Sequence, residues 1–211
     1  MNNNFNLQQE INMKYIITLT AILVYSLTGM AQDFTKAMNT AKTAYSGGRL
    51  EDTHFALQQA MQEVDLIVGK EVLKLLPQKM DSLSTNEKDD NVASNVGYVG
   101  ATIHRTYGKP GRKADLSIIS NSPLVAMMNT FLNTPILGGM MNDGKTKTVK
   151  VQGYKARLEK QVGSTDGKDG YQLQIPLGSA LITFKVDDCT DTQIQDMVNT
   201  IPLQQIAKLI Q

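Results

Sequence analysis

The chain has 211 residues, a formal net charge of +1, a single cysteine and no tryptophan. This length fits one large domain, or one domain with an appendage. The balanced charge argues against nucleic acid as a partner, because a nucleic-acid binder needs a clustered basic face to displace counterions. For the same reason, polybasic attraction to anionic lipid is not expected.

The N-terminus has the organisation of a secretory signal peptide. Lys14 precedes an apolar run over 15–24, and small residues stand at Gly29 and Ala31. This pattern predicts cleavage between Ala31 and Gln32. The apolar run is shorter than the roughly 20 residues that span a bilayer, so no stable membrane span is expected after cleavage. The predicted location is the periplasm or the extracellular space.

Two amphipathic helices are predicted after the cleavage site, over 33–45 and from about Leu50 to Leu76. The pair Gly47-Gly48 separates them, and Pro77 ends the second one. On one face of the first helix the sequence places Phe34, Ala37, Met38, Ala41 and Tyr45. The second helix carries a stripe in 4–3 spacing made of Leu50, Leu57, Met61, Val64, Val68 and Leu75, with His54 and Glu71 in the gaps. A helix this apolar must be covered on more than one side.

The junction of these helices, over 41–60, resembles one tetratricopeptide-type hairpin. The likeness lies in the small residues Ala41, Ala44, Ala56 and Ala60, in the aromatic residue before the turn, and in glycine at the turn. It covers about one repeat, whereas a stacked array needs at least three. We therefore interpret the segment as a helical hairpin of similar design.

Beyond the hairpin, 78–96 is polar and of mixed charge, and it is interpreted as a linker or long loop. The period then changes to two. A hairpin of strands is predicted over 99–104 and 114–118, followed by a helix that begins at Ser122-Pro123. Four further strands are predicted at Thr148–Gln152, Tyr154–Lys160, Tyr171–Ile175 and Ala180–Val186. Thr190 and Gln193 form a capping-box pattern for a C-terminal helix, and a last short helix follows Pro202.

The predicted fold class is α+β, with a helical hairpin followed by a mainly antiparallel sheet in the order ββαββββα. This element order is similar to the PsbP and Mog1 type of α/β sandwich, in which helices cover an antiparallel sheet. The whole chain also resembles exported envelope proteins of Bacteroidetes-type bacteria, which implies a location but no activity. The domain boundaries follow as a signal peptide over 1–31 (with Met13 as a candidate initiator, since 1–12 is polar), a hairpin over 32–77, a linker over 78–96 and a sandwich domain over 97–211.

Residues that could carry chemistry are few and scattered. Cys189 lacks a cysteine partner and stands before a predicted helix, so a nucleophilic thiol is the alternative to a structural one. His54 and His104 lack the local spacing of a zinc site. No catalytic residues, metal site or cofactor are expected. The alternative function, a hydrolase-type enzyme with a dispersed site, would use polar groups near His104, Arg105, Tyr107 and Asp115.

The segment from Ser122 to Met141 is apolar and rich in methionine, with no charge before Asp143. One interpretation is a helix and loop that pack on the sheet, with methionine filling gaps. A second is an adaptable apolar surface for a protein or lipid, and a third is a thioether site for Cu(I). The candidate binding residues are Met127, Met128, Phe131, Met140 and Met141.

From these patterns we expect an exported envelope protein that binds or scaffolds a protein partner or an apolar ligand, without chemistry. A groove for that partner is expected between hairpin and sheet or under the methionine-rich segment.

Overall fold

The structure is a computed structural model that describes residues 32–94, 100–134, 145–161 and 169–210. The chain divides into two compact units, Met1–Val64 and Asp65–Gln211. N-terminal helices precede a mainly antiparallel sheet of seven strands. The predicted α+β class is confirmed.

In the first unit, two helices form a hairpin. Helix α1 spans 32–46, and helix α2 spans Leu50–Leu75, so that its N-terminal part lies in this unit. Gly48 takes a φ of +71° after α1. The N–H of Arg49 then donates to the Ala44 carbonyl at 3.0 Å, which satisfies an acceptor at the end of α1. The predicted stop at the two glycines is therefore a left-handed C-terminal cap.

In its described residues, the second unit contains the C-terminal part of α2, a short two-stranded sheet, the seven-stranded sheet and three more helices. Its elements are, in order, β1 (Lys79–Met80), β2 (Leu83–Ser84), a 3-10 turn (Glu87–Asp89), β3 (Asn91–Ser94), β4 (Ala101–Lys109), β5 (Arg112–Ile119), α3 (Leu124–Asn133), β6 (Thr146–Val151), β7 (Tyr154–Gln161), β8 (Gly170–Leu177), β9 (Ala180–Val186), α4 (Asp191–Val198) and α5 (Leu203–Ile210).

The large sheet has the strand order β3-β4-β5-β9-β8-β7-β6, and every neighbouring pair is antiparallel. Strand β9 lies between β5 and β8, although β5 and β9 are far apart in sequence. The polar/apolar alternation of the sequence follows the pleat, so each strand presents an apolar side to one face of the sheet. The predicted strands from Thr148 onward agree with β6 to β9 within a few residues.

The core lies on that apolar face of the sheet. Leu116, Ile182 and Phe184 from the central strands are fully buried there, and the apolar sides of α4 and α5 belong to the same cluster. The end of α2 also packs on this face. Gly69 of α2 lies so close to β3 that an added Cβ would stand 2.4 Å from a methyl of Val92.

The polar segment 78–96 is more structured than a linker in its described part, 78–94. It contains β1, β2, the 3-10 turn and β3, and β3 is an edge strand that pairs with β4. Short, polar edge strands are common in sheets, since one side of the ladder faces water. The hairpin domain predicted over 32–77 also ends earlier, because the first compact unit ends at Val64 and Val72 and Leu76 are part of the core of the second.

The N-terminus of α4 has the predicted capping box. The Gln193 N–H donates to Thr190 Oγ1 at 3.2 Å, and the Thr190 N–H donates to Gln193 Oε1 at 2.8 Å. Two backbone donors that the helix leaves unsatisfied therefore find acceptors. This prediction from sequence is confirmed.

Candidate binding surfaces

Helix α3 carries the described part of the predicted methionine-rich site. Val125 and Leu132 are buried against the sheet, on the face opposite the core, and contacts reach β7, β8 and β9. Met127 is 65% exposed and Met128 is half-buried. Leu124 is 45% exposed one turn before Met127, so the two side chains form a small apolar pair on the outer side of the helix.

Phe131, the third predicted site residue, already has a partner within the fold. The guanidinium of Arg157 lies over its ring, 5.5 Å from the centroid, in cation–π geometry. Arg157 also donates to Gln174 Oε1 at 3.0 Å and pairs with Glu159 at 2.8 Å. Phe131 therefore helps to fix α3 on the sheet. The other two predicted residues, Met140 and Met141, lie outside the described residues.

The contact between α1 and α2 is made of small side chains. All the buried residues in the described part of the first unit are alanines, namely Ala37, Ala41, Ala44, Ala56 and Ala60. Alanines let helix backbones approach closely but bury little apolar area per residue. In the hairpin itself, therefore, the larger apolar residues do not supply the core.

Apart from Phe55, those larger residues lie on one outer side of the hairpin. On each helix, the centre of these residues is rotated about 80° around the helix axis from the centre of the alanine stripe. The rotation has the same sense, that of increasing residue number, on both helices. In two antiparallel helices, stripes displaced in this way come to the same side. We call this surface the hairpin face, and it consists of Phe34, Met38 and Tyr45 of α1 with Leu50, Leu57, Met61 and Val64 of α2.

The hairpin face is open in the structure. Apart from the half-buried Phe34, its members are between 41% and 68% exposed. The candidate binding residues predicted from sequence lie in the methionine-rich segment and not on this surface. The 4–3 stripe that begins at Leu50 was the signal that could have revealed it, because such spacing is typical of a seam between helices.

The polar groups named for a dispersed enzyme site do not converge. Successive residues of β4 point to opposite faces of the sheet. Arg105 and Tyr107 point into the core, at 4% and 0% exposure. His104 points to the other face, where its Nε2 lies 3.4 Å from Asp115 Oδ1, and Lys113 pairs with the same carboxylate at 3.1 Å. The four side chains are therefore divided by the sheet.

Cys189 has the surroundings of a structural thiol. It is buried, and its Sγ donates to the Val186 carbonyl at 3.5 Å. Burial raises the pKa of this thiol to about 11. A nucleophilic cysteine needs the opposite shift, because the thiolate is the reactive form.

Two of the concavities along the described residues have mostly polar residue types among their lining residues. One is a shallow groove of about 830 Å³ on the outer side of α1, with Thr35, Asn39 and Thr43 among its lining residues. The other, of about 100 Å³, lies among Lys147, Lys160 and their neighbours.

In the described ranges, no three His, Cys, Asp or Glu side chains are grouped as a metal site. No helix in those ranges is long and apolar enough to cross a membrane.

Comparison with known proteins gives no relative for this chain: no family model, no curated protein and no solved structure matches it.

Proposed function

We propose that this chain is an exported protein of the bacterial cell envelope that binds a protein partner through the hairpin face and catalyses no reaction. In this proposal the leader is removed after Ala31. The support for export is the leader pattern in the sequence, which lies outside the described residues.

One observation carries the binding proposal: the hairpin is held by alanines and presents its large apolar side chains to solvent. Full burial of a leucine or methionine contributes about 1.5–3 kcal/mol. Leu50 and Tyr45 are 67% and 68% exposed, so much of this stabilisation is still to be gained. A partner that covers the hairpin face would supply it.

The shape of the surface favours a protein over a small apolar ligand. Small-molecule sites are concave and surround most of the ligand. The hairpin face is a convex surface of side chains on two helices, and the groove of about 830 Å³ beside α1 is wide open, so neither would surround a small ligand. An open apolar surface fits a complementary protein surface.

The apolar pair on α3 is the weaker candidate for contact with a partner. Leu124 and Met127 offer two exposed side chains, whereas the hairpin face offers six with substantial exposure. We therefore assign the main contact to the hairpin face. The role predicted for Met127 is retained as a secondary one.

Photo-crosslinking tests this proposal in cells that express the full-length chain. A photoreactive amino acid at Met61, within the hairpin face, is expected to give a discrete adduct heavier than one chain. The same amino acid at Phe55 is the matched control, because Phe55 lies on the same helix, is 60% exposed and points away from that face. Adducts of equal yield at the two positions, or none at Met61, would contradict the proposal.

A further inference from the structure

The stripe on α2 has the spacing of a helix–helix seam. Leu50, Leu57, Met61 and Val64 are separated by seven, four and three residues, with His54 in the remaining position. Heptad spacing of this kind packs against another helix. Within the first unit, α1 contacts the alanine stripe instead, and the residues of the heptad stripe remain exposed. A helical surface is therefore the occupant that the pattern fits.

The hairpin face carries no formal charge, which makes it compatible with a copy of itself. Its members are leucine, methionine, valine, phenylalanine and tyrosine. When two identical faces meet about a two-fold axis, any charge at the centre meets its own like. None is present here, and an acidic or basic partner would find no complementary charge at the centre of this surface.

The exposed area is also of the size that a stable pair of copies needs. The six exposed members together present roughly 600 Å², taking large side chains as about 200 Å² each. A standard interface buries about 800 Å² on each partner. Phe34 and the alkyl parts of neighbouring side chains can supply the remainder.

We propose that the partner is a second copy of this chain, whose hairpin face packs on this one to form a four-helix bundle. This inference rests on the proposed function and names its partner. Two layers of paired helices bury a core that a single layer of two helices cannot. In the bundle, the alanine contacts hold each hairpin together and the heptad stripes form the seam between copies.

Sedimentation velocity on protein produced from the full-length chain, over a range of concentrations, tests the proposal. The mass is expected to rise from one chain to two. Leu57→Glu is expected to raise the dissociation constant by about 100-fold or more, because it places a charge in the seam of both copies. Phe55→Glu, on the other side of α2, is the control and is expected to leave the constant unchanged.

His54→Leu gives a second test in the opposite direction. It completes the stripe, and the burial of one added leucine per copy is expected to lower the dissociation constant by about tenfold or more. This test does not depend on a destabilising change. Circular dichroism on Leu57→Glu and Phe55→Glu checks that both retain the helix content of the parent protein.

The outcomes separate this inference from the proposed function. If the protein stays monomeric at all concentrations while Met61 crosslinks to a different protein, the partner is not a second copy of this chain, and the proposed binding role stands. A monomer with no Met61 adduct overturns both. A dimer whose constant is insensitive to Leu57→Glu and His54→Leu overturns the hairpin face as its interface.

Discussion

At the scale of single residues, two polar side chains on β4 are buried two positions apart with different surroundings. Arg105 donates to both carboxylate oxygens of Asp90, at 2.9 and 2.6 Å, and to the Leu76 carbonyl at 3.2 Å. Tyr107 is fully buried near the Arg105 guanidinium, but its hydroxyl makes no hydrogen bond of normal geometry within the described residues. The burial of a polar group therefore does not by itself indicate how much that group contributes to the stability of the fold.

Asp90→Ala is expected to lower the free energy of unfolding by about 3 kcal/mol, because it leaves the Arg105 guanidinium buried without its counter-charge. Tyr107→Phe is the comparison on the same strand. This substitution removes a hydroxyl that makes no hydrogen bond of normal geometry. The free energy of unfolding is therefore expected to change by less than about 0.5 kcal/mol or to rise. Denaturant titration measures both. A large loss on Tyr107→Phe would show that the hydroxyl has a partner, such as a buried water.

The stability of the fold is expected to fall at alkaline pH. Burial raises the pKa of Cys189 to about 11 and the pKa of Tyr107 to about 12. At Tyr107 the nearby positive charge of Arg105 opposes part of this rise. In the unfolded chain these groups ionise at their ordinary values of 9.0 and 10.0. The unfolded state therefore loses protons first, and stability is full below about pH 9 and declines as pH rises through 11 to 12.

Denaturant titrations at pH 8 to 12 check this expectation. The double variant Cys189→Ala with Tyr107→Phe serves as the control, since it lacks both titrating groups. Its stability is expected to depend less steeply on pH over this range. An equal slope in parent and variant would assign the alkaline loss to other groups.

At the scale of elements, the β4–β5 hairpin shows how tightly a turn limits its residues. Strand β4 ends at Lys109 and β5 begins at Arg112, so the turn is shorter than the loop predicted from sequence. Gly108 and Gly111 both have positive φ, at +83° and +94°. A Cβ on Gly108 would stand 2.4 Å from the Arg112 carbonyl oxygen, whereas a Cβ on Gly111 would meet open space.

The two glycines are therefore expected to differ when changed to alanine. Gly111→Ala is expected to cost about 1–2 kcal/mol, from the left-handed backbone alone. Gly108→Ala is expected to cost about 2–4 kcal/mol, because it adds a clash with backbone that cannot move without opening the hairpin. Thermal and denaturant unfolding of both variants measure the difference. Equal losses would mean that the hairpin relaxes to accept the Cβ.

At the scale of the whole molecule, the two compact units are built on different principles. The second has a core of large side chains, including Phe184, Leu116 and Ile182, between a sheet and helices. In the first, the buried residues among those described are alanines, and the large side chains other than Phe55 form the hairpin face. Export and assembly are properties of the molecule as a whole, and both remain proposals.

Intact-mass measurement on protein expressed from the full-length chain tests the export proposal. The expected mass is that of a chain beginning at Gln32, because signal peptidase requires small residues at Gly29 and Ala31. Ala31→Gln is expected to block this processing. The matched variant Gln32→Asn, just beyond the cleavage point, is expected to be processed normally. A parent protein that keeps its leader would contradict the proposal.

Much of the fold could be predicted from sequence because its signals are local. The strand pattern over β6 to β9, the capping box at Thr190 and the glycine stop after α1 each depend on neighbours within a few residues. The edge strand β3 was not predicted, because the four residues Asn91–Ser94 are too few to show an alternation and Val92 and Ala93 stand side by side. Of the candidate site, Met127 is exposed, and its role in binding stays a prediction. Phe131 was placed in the same surface but is covered by Arg157, from a distant strand.

By itself, the sequence determined the α+β class, the order of the elements from β4 onward and the side of those strands that faces the core, since periodicity and turn residues encode all three. The tertiary structure alone decided which partner each apolar stripe receives. In α1 and α2 the alanines take the helix contact and the larger side chains are left outside, because close backbone approach excludes them. It also decided that β9 lies between β5 and β8, although β5 and β9 are far apart in sequence. Such choices depend on contacts between residues far apart in the chain, and no local pattern records them.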